Sequence, residues 1–224
     1  MIRLICFDYD GVIVDSMSYH ARAWQKIFAG YGIHIKEEDI YLQEGRPTRD
    51  VVRYLFEKHA RPIDEKTATE IAREKEKRYI SSHKATLFPE AVQLIHSLRQ
   101  APVALALVTG SPLRSVTAVL PDALLQTFDA VITADDVERG KPAPDPYLAA
   151  AERLRLAPEH GLVVENAPLG IRAARAAGMR VAAITTTLPE AALSEADWVV
   201  HDFQELRELL FQQLNLSEKK AANW

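Results

Sequence analysis

Residues 6–16, with the sequence CFDYDGVIVDS, place two carboxylates two positions apart directly after a short apolar run at residues 2–7. Such a run is typical of a buried strand in a parallel α/β sheet. Because ligands of these sheets bind beyond the carboxyl ends of the strands, we expect Asp8 and Asp10 to lie at the functional edge. Gly11 permits the backbone bend that would turn both carboxylates toward one point. Taken alone, the pattern is also that of a strand end followed by an ordinary Asp-Gly turn.

Three further segments show the same arrangement, in which an apolar run ends in polar residues. They are VTGS at residues 108–111, GKPAPDPY at residues 140–147 and VVENAPLG at residues 163–170. Each follows its own apolar run, and each is expected where a strand gives way to a loop. Four polar groups at four strand ends form a much more specific pattern than any single motif.

With these four segments in this order, the chain resembles the haloacid dehalogenase superfamily over essentially its whole length. The resemblance is closest to the β-phosphoglucomutase-like branch with its helical cap. It implies that Asp8 is a nucleophile that forms an aspartyl-phosphate. Asp10 would be the general acid that protonates the leaving oxygen, and then the base that activates water. Thr109 and Lys141 would supply a hydroxyl and a positive charge to the transferring phosphoryl oxygens.

The resemblance also implies a Mg²⁺ cofactor, a hard cation that prefers oxygen ligands and bridges to phosphate. The implied ligands are the Asp8 carboxylate, the Asp10 backbone carbonyl and a side chain of the fourth segment. Where the family usually has an acidic pair, this chain has Glu165 and Asn166. With one charge fewer, we expect weaker metal binding and less repulsion of a highly anionic substrate. Glu165 would lie beside the metal, directly or through water.

The resemblance also implies substrate-binding residues in the cap and in the segment at residues 108–111. A histidine at the start of the first cap helix would lie near the acid/base aspartate, in a structural or a catalytic role. In the cap loop, either of two arginines could hold a second phosphate through paired hydrogen bonds. The implied substrate-binding residues are His20, Glu44, Arg46, Arg49, Gly110 and Ser111.

The predicted fold class is α/β, a Rossmann-like parallel sheet with helices on both faces and an inserted all-helical cap domain. Amphipathic helices are expected at residues 18–31, 50–59 and 66–82, between the first two polar segments and without an intervening strand. After Pro89, helices and strands alternate in the manner of βαβ units. This alternation of helices and strands predicts a parallel sheet for the remainder of the chain.

These patterns divide the chain into two predicted domains. Residues 1–16 and 84–224 are assigned to the Rossmann-like catalytic core, and residues 17–83 to the helical cap. Within the cap, the charged run at residues 73–78 is interpreted as a solvated helix face. The polar tail after Leu216 is expected to fray.

The composition argues against several functional classes. The 224 residues have a formal net charge of -4 and a sequence pI near 6.0, which gives no sign of the basic patch that nucleic-acid binding requires. The single cysteine, Cys6, cannot form an intramolecular disulfide, and no apolar stretch approaches the length of a membrane span. We therefore expect a cytoplasmic, monomeric protein without nucleic-acid or membrane partners, acting on a small phosphorylated substrate.

The leading functional hypothesis is a magnesium-dependent phosphohydrolase acting on inorganic pyrophosphate or a sugar phosphate. Pyrophosphate is suggested by similarity to a subgroup that contains a pyrophosphatase, and the reduced charge at Asn166 agrees with it. The alternative is a hexose phosphate mutase of the β-phosphoglucomutase type, which needs the same two aspartates and a cap that excludes water. A carbon–halogen hydrolase is disfavoured, since that branch lacks the second aspartate. A non-catalytic binding protein is disfavoured because every implied catalytic position except Asn166 has its usual residue type.

Overall fold

The computed structural model describes residues 1–82 and 85–216, and a parallel sheet forms its centre. The strands are β1 (Leu4–Phe7), β2 (Val14–Asp15), β3 (Thr86–Leu87), β4 (Ala104–Val108), β5 (Ala130–Ile132), β6 (Gly161–Glu165), β7 (Arg180–Ile184) and β8 (Trp198–Val200). Six of them form one sheet in the order β5-β4-β1-β6-β7-β8, with every neighbouring pair parallel. The predicted α/β fold class is confirmed.

Ten α-helices lie in the described part of the chain. They are α1 (Met17–Ala29), α2 (Glu37–Tyr41), α3 (Thr48–Lys58), α4 (Glu65–Ser82), α5 (Pro89–Leu98), α6 (Leu113–Thr117), α7 (Asp122–Leu125), α8 (Asp145–Arg153), α9 (Pro168–Ala176) and α10 (Phe203–Gln213). Within residues 1–82 and 85–216, no helix has both the length and the apolar character needed to cross a membrane.

Alternation along β1 explains why helices cover both faces of the sheet. Successive side chains of a strand point to opposite faces. Ile5 and Phe7 therefore belong to one apolar cluster, which includes residues of α5 and α10. Leu4 and Cys6 belong to a second cluster, which includes residues of α8 and α9. All four side chains are buried, so β1 reads as a continuous apolar run rather than an alternating one.

The helices between β2 and β3 have an apolar core of their own, built from α1, α3 and α4 around residues such as Trp24 and Phe28. The sequence analysis anticipates these three helices to within two residues at each end, but not the short α2. β2 and β3 pair antiparallel where the chain enters and leaves this bundle. The division into two domains stays a prediction. Its boundary at residues 83 and 84, and the tail at residues 217–224, lie outside the described residues.

Candidate active site

Polar side chains come from the carboxyl ends of neighbouring strands. Asp8 follows β1, Thr109 follows β4, Glu165 is the last residue of β6, and Lys141 lies in the loop after β5. Because β1 lies between β4 and β6, the strand order reverses at its end. Ligands of open α/β sheets bind at such reversal points. The location of Asp8 at the functional edge therefore follows from the strand order.

The Lys141 ammonium joins two carboxylates. Its Nζ atom donates to Asp8 Oδ1 and to Glu165 Oε1, both at 2.6 Å. Burial alone would lower the pKa of Lys141, but the two carboxylates raise it above its ordinary value. Burial raises the pKa of Asp8 to about 8; Lys141 opposes this rise and Glu165 adds to it. A proton or a cation beside Asp8 is therefore favoured.

The Glu165 carboxylate is held on both of its oxygens. Oε1 also accepts a hydrogen bond from the Tyr147 hydroxyl at 2.8 Å. Oε2 accepts from the backbone N–H groups of Asn166 at 3.0 Å and Ala167 at 3.2 Å, at the start of α9. Gly170 approaches so closely that a Cβ there would collide with the carboxylate. These contacts make Glu165 an anchor for Lys141.

Three side chains hold the Asp10 carboxylate. The Ser16 hydroxyl donates to Oδ1 at 2.6 Å, the Ser111 hydroxyl donates to Oδ2 at 2.8 Å, and His20 Nε2 lies 2.9 Å from Oδ1. Burial raises the pKa of Asp10, but His20 and the two hydroxyls outweigh that effect and lower it below its ordinary value. Asp10 is therefore ionised in the resting protein. Ser111, a predicted substrate residue, lines the cavity and also contacts the acid/base candidate.

His20 links Asp10 to a second buried cation. Its Nδ1 lies 2.7 Å from the Nζ of Lys75, and its ring stacks on Tyr79 at a centroid distance of 4.0 Å. Burial and the charge of Lys75 lower the pKa of His20. A neutral His20 satisfies both contacts, with Nε2–H donating to Asp10 and Nδ1 accepting from Lys75. The structure thus joins Asp10, His20 and Lys75 in one hydrogen-bonded chain.

The position of Lys75 corrects the interpretation of residues 73–78 as a solvated helix face. Lys75 is only 8% exposed, and burial lowers its pKa to about 8. Its Nζ lies 5.5 Å from the Trp24 ring centroid and 5.3 Å from that of Tyr79. The signal in the sequence is helical spacing, since Ile71, Lys75 and Tyr79 are four residues apart on the buried face of α4.

Asn166 and Glu44 meet across the site. Asn166 is completely buried, and its Nδ2 donates to Glu44 Oε2 at 3.0 Å. Burial raises the pKa of Glu44 well above its ordinary value, and repulsion from Asp8, Glu165 and Asp10 adds to this. Within the described residues, Asn166 Oδ1 and Glu44 Oε1 are both buried without a hydrogen-bond partner. Two buried acceptors thus lack a donor.

The loop that carries Glu44 lies directly on the two loops after β4 and β5. A Cβ on Gly45, whose φ is +81°, would come within 2.6 Å of the Lys141 side chain. A Cβ on Gly110 would come within 2.7 Å of the Gly45 carbonyl oxygen. Glycine at these two positions allows the backbones to approach this closely. The predicted cap loop therefore lies against the segments that carry the predicted catalytic residues Thr109 and Lys141.

The two predicted arginines lie in different surroundings. Arg46 lines the cavity, its guanidinium lies 5.4 Å from the Tyr54 ring centroid, and its Nε is buried without a partner among the described residues. Arg49 does not line the cavity; its side chain is 53% exposed and pairs with Glu65 at 3.0 Å. The structure thus brings Arg46, but not Arg49, to the site.

A small cavity of about 60 Å³ joins these groups. Thr109 and Gly110 line it on the sheet side. The Thr109 hydroxyl accepts a hydrogen bond from the Ser111 backbone N–H at 3.0 Å, so its own proton remains for a ligand. The cap wall combines apolar and polar side chains, namely Met17, Trp24, Ile40, Val51, Gln43, Thr48 and Lys75.

Across residues 1–82 and 85–216, no three histidine, cysteine, aspartate or glutamate side chains form a ready-made metal cluster. The donors nonetheless fit Mg²⁺, which accepts amide and backbone oxygens and keeps several waters. Asn166 Oδ1 and Glu44 Oε1 are buried acceptors without a donor. Burial raises the pKa values of Asp8 and Glu44, and repulsion from neighbouring carboxylates adds to the rise; a divalent cation would offset that repulsion.

Several residues of the site were not foreseen. Lys75, Trp24 and Tyr147 occupy helical positions that the sequence marks only as apolar or charged. Thr187 follows β7 and accepts a hydrogen bond from Asn166 Nδ2 at 2.9 Å. Its only signal is a polar run, TTT at residues 185–187, at the end of a further strand of the sheet.

Comparisons with known proteins place this geometry in context. Residues 2–178 match the family described as haloacid dehalogenase-like hydrolase. The chain is 32% identical over 208 residues to validoxylamine A 7′-phosphate phosphatase of Streptomyces hygroscopicus subsp. limoneus, covering 92% of this chain and 97% of that protein. It is 32% identical over 200 residues to hexitol phosphatase A of Escherichia coli (strain K12), covering 89% of this chain and 91% of that protein. The solved β-phosphoglucomutase of Clostridium difficile is 24% identical, has a TM-score of 0.84 and covers 96% of this chain and 98% of its own. That last likeness shows the fold.

Proposed function

Because this chain belongs to the haloacid dehalogenase-like hydrolase family, we propose that it is a magnesium-dependent phosphatase of a small phosphorylated sugar or sugar alcohol. The two sequence relatives described above are named as phosphatases, and the chain is a hydrolase of phosphoric esters. The observation that carries the proposal is the buried Asp8–Lys141 pair, with Asp10 and Thr109 facing the same cavity. The substrate class rests on the hexitol phosphatase and on the mixed polar and apolar wall of the cap.

In the proposed reaction, Asp8 attacks the phosphorus atom and the bond to the leaving oxygen breaks. Hydrogen bonds from the described residues engage only Oδ1 of the Asp8 carboxylate, so Oδ2 is available as the nucleophile. Lys141 and the Thr109 hydroxyl stabilise charge on the phosphoryl oxygens. Water then attacks the aspartyl-phosphate, which releases phosphate and restores Asp8.

Asp10 would move the protons of both steps. In the resting protein it is ionised, which is the form needed to accept a proton from the attacking water. An anionic phosphate nearby would raise its pKa, since like charges disfavour ionisation. That rise would favour the protonated form, which donates to the leaving oxygen. His20 and Ser16 hold the carboxylate in place through Oδ1.

The residues that would hold Mg²⁺ are Asp8, the Asp10 backbone carbonyl, Asn166 and Glu44. When bound, Mg²⁺ would supply positive charge to the phosphoryl oxygens and to Asp8. We assign Glu165 to Lys141 rather than to the metal, because both of its oxygens already accept hydrogen bonds.

A hexose phosphate mutase is the second candidate, favoured by one observation. Asp8 is only 2% exposed beneath the cap loop, and water exclusion is what a mutase requires. The absence of a negative charge at Asn166 favours a highly anionic substrate such as inorganic pyrophosphate. Neither phosphatase relative described above is named for pyrophosphate.

A substrate panel tests the proposal. Phosphate release would be measured for a hexitol phosphate, hexose 1- and 6-phosphates, pyrophosphate and an aryl phosphate, with Mg²⁺ and with a chelator. We expect the highest kcat/KM for a sugar or sugar-alcohol phosphate, and no turnover with the chelator. Isomerisation of hexose phosphate without phosphate release would identify a mutase. Turnover of pyrophosphate alone would overturn the proposed substrate class, and full activity in chelator would overturn the role of magnesium.

Arg46→Ala should affect substrates selectively. If Arg46 binds a polar or anionic group of the substrate beyond the transferred phosphate, its loss should lower kcat/KM for the best sugar phosphate by about 10- to 100-fold. An aryl phosphate, which presents no such group, should lose little. Arg49→Ala should change neither value, because Arg49 does not line the cavity and its exposed side chain pairs with Glu65. A uniform loss across both substrates in Arg46→Ala would contradict a role in specificity.

Binding of Mg²⁺ should strengthen as the pH rises. In the metal-free protein the pKa of Asp8 is raised to about 8, so below that pH a proton competes with the cation. We expect affinity to rise about tenfold per pH unit from pH 6 to pH 8 and to level off above. The raised pKa of Glu44 acts in the same direction.

The raised pKa of Asp8 also predicts how the free energy of unfolding changes with pH. From the ordinary value of 3.8 up to about 8, the folded protein keeps a proton that the unfolded chain has released. The free energy of unfolding attributable to Asp8 therefore falls as the pH rises through this window. Both expectations rest on the raised pKa of Asp8. Calorimetric titration at several pH values measures how the Mg²⁺ affinity depends on pH, and an affinity independent of pH would contradict the raised pKa.

A further inference from the structure

The cavity is small for a sugar phosphate. Its volume is about 60 Å³, whereas small-molecule sites typically measure about 300–1,000 Å³. Asp8, which lines it, is only 2% exposed. A sugar phosphate therefore cannot reach Asp8 unless the bundle of α1, α3 and α4 moves away from the sheet layer, which is the sheet with its covering helices. Contacts that join the bundle to the sheet layer then influence how the cavity opens and closes.

One such contact is an ion pair between α4 of the bundle and α6, the helix that follows β4. The Arg114 guanidinium donates from Nε to Glu76 Oε1 at 2.5 Å and from Nη2 to Glu76 Oε2. The Ser115 hydroxyl donates to the same Oε1 at 3.3 Å. We propose that Glu76 is a positioning residue, and that its pair with Arg114 is a latch that fastens α4 to the sheet layer when the cavity is closed. This inference rests on the proposed function in one respect, namely that the substrate must enter this cavity.

This pair differs from an ordinary surface ion pair in its burial and its geometry. The Glu76 side chain is only 14% exposed, although that of Arg114 is 67% exposed. Two nitrogen atoms of one guanidinium engage both carboxylate oxygens, which is a strong and directional arrangement. Exposed pairs with a single contact contribute little, whereas paired hydrogen bonds of this kind are the exception. The pairs of Glu65 with Arg49 and Arg53, by contrast, lie within the bundle and do not join it to the sheet layer.

Both partners of the latch lie close in the chain to residues that line the cavity. On α4, Glu76 directly follows Lys75, which forms part of the cavity wall. On the sheet side, Arg114 lies three residues after Ser111, which forms part of the opposite wall. Separation of Glu76 from Arg114 would therefore draw Lys75 away from Ser111. The intact pair holds these two walls in the arrangement that the structure shows.

The packing of the bundle allows it to move without dividing an apolar core. The buried members of its apolar cluster all lie between residues 21 and 71. The buried members of the two clusters of the sheet layer lie outside that range. Movement of the bundle therefore leaves the buried members of all three clusters together. An ion pair between the bundle and the sheet layer can then shift the balance between closed and open arrangements.

The experiment measures the distance between α4 and α6 by pulsed electron paramagnetic resonance, in the protein without substrate. Spin labels are attached at two exposed positions, through Glu70→Cys on α4 and Ala118→Cys at the end of α6. The native cysteine, Cys6, is buried and stays unlabelled. Arg114→Glu places two carboxylates together, so we expect longer and broader distances than in the labelled protein with Arg114. Reversing the pair, with Arg114→Glu and Glu76→Arg together, should restore the short distances.

Salt dependence and kinetics provide readouts that a merely structural role would not move. Raising the salt concentration should shift the wild-type protein toward the longer distances and change Arg114→Gln little, because salt screens charge pairs. In Arg114→Gln we expect KM for the best sugar phosphate to rise about tenfold, because closure over the bound substrate becomes less favourable. The value of kcat should stay close to wild type, since most of the bound enzyme still closes. Arg172→Gln breaks an ion pair with Glu195 within the sheet layer and should change neither constant.

Two results would overturn the inference. The first is an unchanged distance in Arg114→Glu, and the second is a reversed pair that folds but keeps the long distances. Arg114→Gln serves as the second variant if Arg114→Glu does not fold. Turnover of pyrophosphate alone would overturn the proposed substrate class, while the distances measured without substrate would still decide whether the latch exists.

Discussion

Asp8→Asn is expected to abolish turnover while the fold is preserved. The amide keeps the shape of the carboxylate but has no charge with which to attack phosphorus. Removing the nucleophile of a covalent hydrolase lowers kcat by about 10⁶-fold in a well-studied case, and we expect a loss on that scale for every substrate. Phosphate release under single-turnover conditions measures it, with circular dichroism to report the fold.

The chain offers a matched control in the same segment. Asp15, at the end of β2, is exposed and seven residues from Asp8. Asp15→Asn makes the same chemical change without touching the cavity, and should leave kcat/KM unaltered. Acid-quenched wild-type protein should carry a base-labile phosphoryl group that is absent from Asp8→Asn. Turnover near the wild-type rate in Asp8→Asn, or a phosphoryl group still present in it, would contradict the covalent mechanism.

Lys141→Ala is expected to impair both activity and stability. Lost stabilisation of the transferring phosphoryl group should lower kcat/KM by about 10²–10³-fold on every substrate, since one transition-state donor is removed. The substitution also leaves Asp8 and Glu165 buried without their shared cation. Breaking a buried ion pair in this way costs about 3–5 kcal/mol of unfolding free energy.

The pH dependence of Lys141→Ala follows from the sign of its effect on Asp8. The ammonium lowers the pKa of Asp8, so its removal raises that pKa further. Below about pH 8 Asp8 carries a proton in both folded proteins, so the destabilisation should be constant there and should grow as the pH rises through 8 and above. Urea unfolding at about pH 6.5 and about pH 9.5 measures this, with Lys66→Ala, on the exposed face of α4, as the control. A loss limited to sugar phosphates, with aryl phosphate spared, would contradict a role in phosphoryl transfer.

Much of the fold could be predicted because it depends on local patterns. The apolar run ahead of Asp8 predicted β1, and the alternation after Pro89 predicted the parallel sheet, which is confirmed. The family is confirmed as well. The roles of the predicted site residues stay predictions, although the structure brings Asp8, Asp10, Thr109, Lys141 and Asn166 to one edge of the sheet.

Contacts between distant segments were not predictable in the same way. Lys75 belongs to a run of alternating charges, and only the packing of α4 against α1 separates it from its solvated neighbours. Arg46 and Arg49 are equivalent in the sequence, but the turn at Gly45 and the start of α3 direct one to the cavity and the other to Glu65. In the sequence Tyr147 resembles an apolar core residue. Only the structure shows that its hydroxyl donates to Glu165.

The sequence by itself therefore determined the sheet, the edge at which the catalytic segments end and the chemical types they present. These follow from periodicity and from the rule that parallel strands end together, which need no knowledge of side-chain contacts. The tertiary structure alone decided which acceptor holds the Asn166 amide, which lysine reaches His20 and which arginine lines the cavity. These depend on distances of a few ångströms between residues up to 122 positions apart, such as Glu44 and Asn166. Hydrogen bonds act only over such distances, so the sequence supplies the groups and only the fold selects the pairs.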